Sequence, residues 1–382
     1  MRLKKFVKGK IIQHEICKES KKEEYQVTRE FSAQNIARLT PAEIQSVINL
    51  WKPALADKVR FKNISVHSGG GVLPEIGMFK KLRGFDARYL GHNMYLPIIA
   101  HKLNDYHYTK VYEDKNLTDR FLHSGLKTPK VFLRKINGEY FDAAMRYMTV
   151  EDAADFLSAE EKFVLKTAND SSGGAGVVRL ERNDEDNSTW RMKIADLLSR
   201  RTENFVVQEC VRQSDSMAIF NEASVNTFRV TTLLLHDEFS VLNIVFRTGK
   251  KGMHVDNWGA GGILMGVEKD GKMHDVGYDI HLNPCREYNH RVFSDVRFSF
   301  MPEIIHRVQA AHQKDFPLAK MIGWDICVDR SGEPLLLEVN SSQPGIIGEQ
   351  LCNGPIFGER TQEVIDYCAS KDFVYHRSLF RY

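Results

Sequence analysis

Gly323-Trp-Asp-Ile-Cys-Val-Asp-Arg-Ser-Gly-Glu-Pro-Leu-Leu-Leu-Glu-Val-Asn340 carries two carboxylates and an amide at set places around two short apolar runs. Ile326-Cys-Val328 and Leu335-Leu-Leu337 read as strands, and Asp329-Arg-Ser-Gly332 supplies the Asp, Ser and Gly that close a hairpin. On an antiparallel pair Asp325 and Glu338 lie near the same end. Side chains alternate along a strand, so Glu338 and Asn340 share one face. Three oxygen-bearing groups converging on one spot suit Mg2+, a hard octahedral ion that takes one or two carboxylates together with substrate phosphates. A hairpin with a merely charged rim reads similarly from this stretch alone.

The rest of the chain has to choose between these. Its 382 residues suffice for two or three domains, and the composition is that of an ordinary soluble globular protein. No run is apolar enough to cross a membrane and the N-terminus lacks a signal-peptide stretch, so a cytoplasmic location is expected. The six cysteines form no CxxC pair, and the fourteen histidines form no HExxH, which points away from a disulfide framework and from zinc. A formal charge of +3 gives no argument for nucleic acid. The first 24 residues hold eight Lys or Arg against four Glu, and read as a solvated tail with peripheral contact to an acidic membrane surface as the alternative.

Residues 29–57 read as helix, with Thr40 as N-cap, Pro41 at the first turn, Glu43 in the capping-box place and Ile44, Val47, Ile48 and Trp51 at helical spacing. Gly69-Gly-Gly71 lacks a following Gly-Lys-Ser/Thr and reads as a connector. Lys115 to Gly125 reads as a short helix ending on a glycine, before a strand at Val131-Phe-Leu133. Phe163-Val-Leu-Lys166 and Val177-Val-Arg-Leu180 read as strands flanking a loop with Ser171, Ser172, Gly173 and Gly174. Its backbone N–H groups could close over an anion beside Lys166, or form a mobile hairpin tip. Ser224 to Leu235 and Val241 to Arg247 read as paired strands that bring Arg229 and Arg247 together as a fork for a carboxylate or phosphoryl group. Asp256-Asn-Trp-Gly-Ala-Gly-Gly262 allows close backbone approach, with Asn257 supplying donors and an acceptor. Gly266 to Met273 nearly spells a phosphate loop but ends in Met where Ser or Thr is needed, so it reads as a hairpin turn. Pro302 to His312 reads as an amphipathic helix with Pro at its start. The basic aromatic end, Phe373 to Tyr382, could pack, dimerise or touch a membrane.

The Asp325…Glu338-x-Asn340 set resembles the C-terminal core motif of the ATP-grasp superfamily, and Gln343-Pro-Gly345 is similar to the turn that follows it in carboxylate-amine ligases such as D-alanine:D-alanine ligase. The resemblance spans residues 110–355. It implies an α+β ATP-grasp fold, two lobes clamping ATP, with a largely helical N-terminal cap: 1–109 the cap, 110–205 the N-lobe with its flap, 206–355 the C-lobe with the metal site, 356–382 an extension. It further implies Asp325, Glu338 and Asn340 as ligands of Mg2+, with Mn2+ an alternative, and Lys115 and Lys166 on the nucleotide phosphates under the Ser171–Gly174 flap. Gln208, Glu209 and Val211 fall in the adenine-binding connector, and Asp215 falls one place off the usual ribose position. Ser-Val-Asn-Thr-x-Arg and the Asp-Asn-x-Gly-x-Gly-Gly-like run look most like the sugar-transfer-associated ATP-grasp group, which by context goes with surface polysaccharide synthesis.

The chemistry so implied is ATP-dependent joining of a carboxylate to an amine, both small molecules and sugar-linked in one version, through an acyl phosphate. Lys166, Arg229 and Arg247 would act on the reacting groups. Phosphoryl transfer to a hydroxyl is the alternative, and a glycosyltransferase a more distant one, as the chain shows no pair of sugar-nucleotide domains. The sequence sets no oligomeric state.

Overall fold

A computed structural model describes residues 37–55, 74–169, 176–250, 252, 258 and 261–371. The basic first 24 residues, the Gly69–Gly71 triplet, the flap residues Ser171, Ser172, Gly173 and Gly174, Asn257 and the aromatic end lie outside them.

Helix α1 (Pro41–Leu55) begins where the capping signal places it: Thr40 N–H donates to Glu43 Oε2 at 2.7 Å and Glu43 N–H donates to Thr40 Oγ1 at 3.2 Å. Residues 37–40 are not helical, so within the expected 29–57 span the described helix begins at Pro41; residues 29–36 and 56–57 lie outside the described residues. Helix α2 (Pro74–Arg83) follows, then helical turns from His92 to Leu103 that pass through a π-helical stretch at Tyr95–Ile99.

The expected helix from Lys115 to Gly125 is a single turn, Thr118–Phe121, and Leu122 is already extended. The cause lies elsewhere in the chain. Asp315 Oδ2 accepts the His123 N–H at 3.2 Å, the Ser124 N–H at 3.1 Å and the Ser124 hydroxyl at 2.5 Å, bonds that draw the backbone off the helical path.

Two antiparallel sheets follow. The first comprises β1 (Val131–Ile136), β2 (Glu139–Asp142), β3 (Tyr147–Met148), β4 (Lys162–Thr167), β5 (Val177–Glu181) and β6 (Phe205–Gln208), in the order β3-β2-β1-β6-β4-β5. Helices α3 (Val150–Ser158) and α4 (Asn187–Arg200) cover one face, burying Ala153, Leu157, Trp190, Ile194 and Leu198 against Phe163, Leu165, Phe205 and Val207. By alternation Lys166, Val206 and Gln208 point to the other face.

The second sheet comprises β7 (Thr227–Leu235), β8 (Glu238–Thr248), β9 (Ile263–Val267), β10 (Met273–Tyr278) and β11 (Pro284–Cys285). A separate ribbon of β12 (Glu287–Tyr288) and β13 (Arg291–Val292) precedes β14 (Met321–Val328) and β15 (Pro334–Asn340), which complete the order β11-β10-β9-β8-β7-β14-β15. His236 and Asp237 turn β7 into β8 with φ of 50° and 65°, the left-handed pair that a two-residue hairpin requires. The near-phosphate-loop is the β9–β10 turn, as its sequence indicates.

Helix α5 (Met301–Lys314) packs Met301, Ile304, Val308 and Ala311 on one face of this sheet, against Phe228, Val230, Phe246 and Trp324. On the opposite face α1, α2 and the His92–Leu103 turns share a core with α6 (Ile347–Asn353), α7 (Thr361–Ser370) and the strand residues Leu233, Val245, Leu264 and Met321. Each large apolar side chain buried there contributes roughly 2–3 kcal/mol. The N-terminal helices are thus built into the wall of the second sheet. No described helix is long and apolar enough to cross a membrane.

Candidate active site

The face of the second sheet that carries Leu233 and Val245 also carries a row of charge. Asp325 on β14 pairs directly with Arg229 on β7 and with Glu338 on β15, so the three stand side by side across three strands. Arg247 enters from β8, opposite Thr227, whose hydroxyl accepts from its Nε at 3.0 Å. Asn340 lies opposite Gly323. That glycine has a steric reason: a Cβ there would fall 3.1 Å from Arg229 Cδ, where the arginine lies across the strand.

Asp325 is almost fully buried and is gripped from two sides. Arg229 binds it with a fork, Nε to Oδ1 and Nη2 to Oδ2 at 3.0 Å, while Arg247 Nη2 reaches Oδ2 at 2.8 Å. Burial alone would raise the Asp325 carboxyl, but the charges of Arg229 and then Arg247 outweigh it and hold the group below its ordinary value. Burial likewise works against the Arg229 cation, yet Asp325, Glu349 and Glu338 together keep it firmly protonated.

Lys115 reaches the same row from the segment before the first sheet, its Nζ 2.9 Å from Glu338 Oε1. Its neighbours tie down two further parts of the site. Glu113 Oε1 accepts the N–H groups of Ser341 and Ser342 at 2.8 and 2.6 Å and the Ser342 hydroxyl at 2.7 Å, fixing the turn just after Asn340. Asp114 Oδ2 accepts from Asn169 Nδ2 at 3.1 Å, and the Lys115 N–H donates to Ala168 O at 3.1 Å, so the base of the glycine-rich loop is held as well.

Asp325, Glu338, Asn340, Arg229, Arg247 and Lys115 are therefore gathered in one place. Lys166 and Gln208 belong to the first sheet, on its face away from α3 and α4. Glu209 and Val211 lie in the connector leaving β6, which runs beside the β14–β15 hairpin through Ser214 N–H to Val328 O at 2.9 Å and Arg330 N–H to Arg212 O at 2.8 Å. The Glu209 carboxylate is engaged locally, accepting the Lys130 N–H at 2.7 Å. Asp215 is exposed on the turn that follows. Sequence reading missed Thr227, Glu113 and Glu349. Only Thr227 left a trace, two places from Arg229 on the same strand face.

The donor set fits a hard cation. Glu338 is partly exposed, Asn340 Nδ2 donates to Gly323 O at 3.3 Å and leaves its carbonyl oxygen for a metal, and the Asp325 oxygens accept three N–H groups out of about four lone-pair places. Among the described residues no three His, Cys, Asp or Glu groups form a metal cage. A magnesium ion shared with phosphates needs only one or two carboxylates.

Two antiparallel sheets, with the β4–β5 hairpin in one and this carboxylate-amide row in the other, are the architecture of the ATP-grasp fold. The chain belongs to the family described as sugar-transfer-associated ATP-grasp, whose pattern matches residues 99–366. Among solved structures, it is similar to an L-amino acid ligase from Bacillus licheniformis at 15% identity, with 70% of this chain and 48% of that one covered at a TM-score of 0.36. D-alanyl-alanine synthetase A from Vibrio cholerae matches at 10% identity over 69% of this chain and 65% of its own, TM-score 0.38. N5-carboxyaminoimidazole synthetase from Staphylococcus aureus, complexed with ADP, matches at 11% over 70% and 53%, TM-score 0.36. The chain thus spans about half to two thirds of the length of these structures. No curated protein matches it.

Proposed function

We propose that this protein is an ATP-dependent carboxylate-amine ligase working through an acyl phosphate, with residues 110–205 and 206–355 as the two lobes that clamp the nucleotide. The observation that carries the reading is the row Arg229–Asp325–Glu338 on three paired strands, with Arg247, Lys115 and Asn340 around it. Lys115 and Lys166 would offset phosphate charge, with Ser171, Ser172, Gly173 and Gly174 closing above. Gln208, Glu209, Val211, Asp215 and Asn257 would receive the rest of the nucleotide. Asp325, Glu338 and Asn340 would hold Mg2+, which would supply positive charge against that developing on the phosphates.

The substrate carboxylate attacks the γ-phosphorus, the bond to the bridging oxygen breaks, and ADP leaves. Arg247, the more exposed arginine, and Arg229 behind it then face the acyl oxygen and stabilise its negative charge as an amine forms the C–N bond and inorganic phosphate departs. The family's association with sugar transfer supports a sugar-linked acid or amine. The test is ATP with Mg2+, a panel of carboxylic acids including uronic and amino acids, and hydroxylamine as trap. Hydroxamate with ADP is expected. A phosphomonoester from a hydroxyl compound, with no hydroxamate from any acid, would replace the ligase by a phosphotransferase.

A further inference from the structure

Glu349, on α6, is the carboxylate that this chemistry leaves unused. It is 7% exposed, and its nearest cation is Arg229 Nη1 at 3.7 Å, outside hydrogen-bonding distance. Among the described residues no N–H or O–H group donates to either of its side-chain oxygens. Asp325, on the other side of the same guanidinium, takes three N–H bonds. The contrast has a geometric origin. The Arg229 fork is locked to Asp325 through Nε and Nη2, which leaves Nη1 3.7 Å from Glu349 Oε1, within ion-pair reach but too far for a hydrogen bond. Gly345 runs alongside: a Cβ there would lie 3.7 Å from Arg229 Nη1 and 3.7 and 3.8 Å from the two Glu349 oxygens, so the turn adds no side chain to fill the space. The buried Tyr95 does not serve it either, because its hydroxyl is directed at Met321 Sδ, 3.6 Å away.

Glu349 therefore has the attraction of the Arg229 charge but no hydrogen bond, so its lone-pair places are left for donors that a ligand could bring. Those places suit a small group rich in N–H. We propose that Glu349 is the receptor for the ammonium group of the acceptor substrate. This rests on the ligase reading and names the charge state and docking point of its amine. An ammonium brings three donors and a positive charge, whereas an alcohol or amide brings fewer donors and no charge. Bound there, the ammonium stands beside Arg229; one proton passes to Glu349, the freed lone pair attacks the acyl carbon, and inorganic phosphate leaves with the second proton of the nitrogen.

The test has a binding arm and a kinetic arm. Saturation-transfer NMR with ethanolamine and with its uncharged N-acetyl counterpart should show binding of ethanolamine alone to the wild-type protein, and loss of that signal in Glu349→Gln. On any acid that yields hydroxamate, Glu349→Gln should raise the KM for a primary ammonium substrate by about tenfold or more. Reaction with hydroxylamine, uncharged at neutral pH, should fall far less. Because Asp325 keeps its bonds to Arg229, the melting temperature should stay near that of the wild type. Equal ethanolamine binding by both proteins, or none by the wild type, overturns the proposal. So does a variant that melts lower and loses both reactions together, because Glu349 then acts only as a counter-ion for Arg229. Ethanolamine binding that depends on Glu349, without hydroxamate from any acid, upholds the ammonium site and removes the ligase reading.

Discussion

Arg229→Lys separates charge from geometry at the centre of the row. The arginine holds both oxygens of Asp325 at once, while Arg247 Nη2 keeps a separate hold at 2.8 Å. A lysine keeps the positive charge but places one ammonium where two parallel N–H bonds stood. One charge-assisted bond to a buried carboxylate is lost, about 1.5–3 kcal/mol. Because Arg247 remains, the loss stays below the roughly 3–5 kcal/mol expected when a buried charge is left with no partner. If the fork is fully used in the transition state, the same energy lowers turnover roughly 10- to 150-fold. Turnover is to be followed as hydroxamate formation at saturating ATP, MgATP affinity by calorimetry, and stability by urea unfolding. A large fall in turnover with less than about a threefold change in MgATP affinity is expected, because Lys115, Lys166 and Glu338 are left in place. Turnover within twofold of wild type would refute the argument that the fork positions the reacting groups.

Three further outcomes are expected. Glu338→Gln removes the charge that pairs with Lys115 at 2.9 Å and should weaken MgATP binding about tenfold or more without changing the circular dichroism spectrum. Normal turnover in that folded variant would remove Glu338 from the metal site. His312 is fully buried, with Nδ1 2.8 Å from the Thr232 hydroxyl and Nε2 2.9 Å from Ala319 O, and burial lowers it to about 4. The folded ring stays neutral while the unfolded chain gains a proton near pH 6.5, so its share of stability is present above that pH and is lost as pH falls toward 4. The loss is on the order of 3 kcal/mol, measurable as a slope in urea-unfolding free energy that flattens in His312→Gln. Asn104→Ala should cost on the order of 3 kcal/mol in the same assay, and a loss under about 1 kcal/mol would show that the neighbouring strands re-pair without it.

The β14–β15 hairpin was legible because everything that makes it is local: a turn of Asp, Ser and Gly, apolar runs of strand length, and an alternation that puts Glu338 and Asn340 on one face. The β7–β8 pair was legible for the same reason, although His236-Asp237 is an unusual choice for a turn with two positive φ values. The 115–125 helix failed because Asp315, 191 residues from Ser124, captures that backbone, and no propensity records such a partner. The N-terminal segment resisted reading for a related reason. Its helices are short, one passes through a π turn, and their apolar faces meet strands and C-terminal helices far along the chain. At the site, the arginines could be found in the sequence, but their shared grip on Asp325 could not, since it depends on the register of three strands.

The N-terminal segment then acquires a role that its sequence does not announce. Asn104 accepts the Lys320 and Met321 N–H groups at 2.7 and 3.0 Å and donates to Met321 O and Ser341 O at 2.7 and 2.6 Å, so one buried amide ties the start of β14 to the residue after Asn340. Glu113 holds the next two N–H groups of the same turn. The two ends that must stay in register for Asp325, Glu338 and Asn340 to converge are thus braced from outside the sheet. In the proposed reaction Glu338 would hold the metal, and Lys115, whose Nζ is 2.9 Å from Glu338 Oε1, would turn to the phosphates that arrive with the metal. The exchange keeps each charge paired only if nucleotide and metal enter together, which is the physical reason to expect free ATP to bind far more weakly than MgATP.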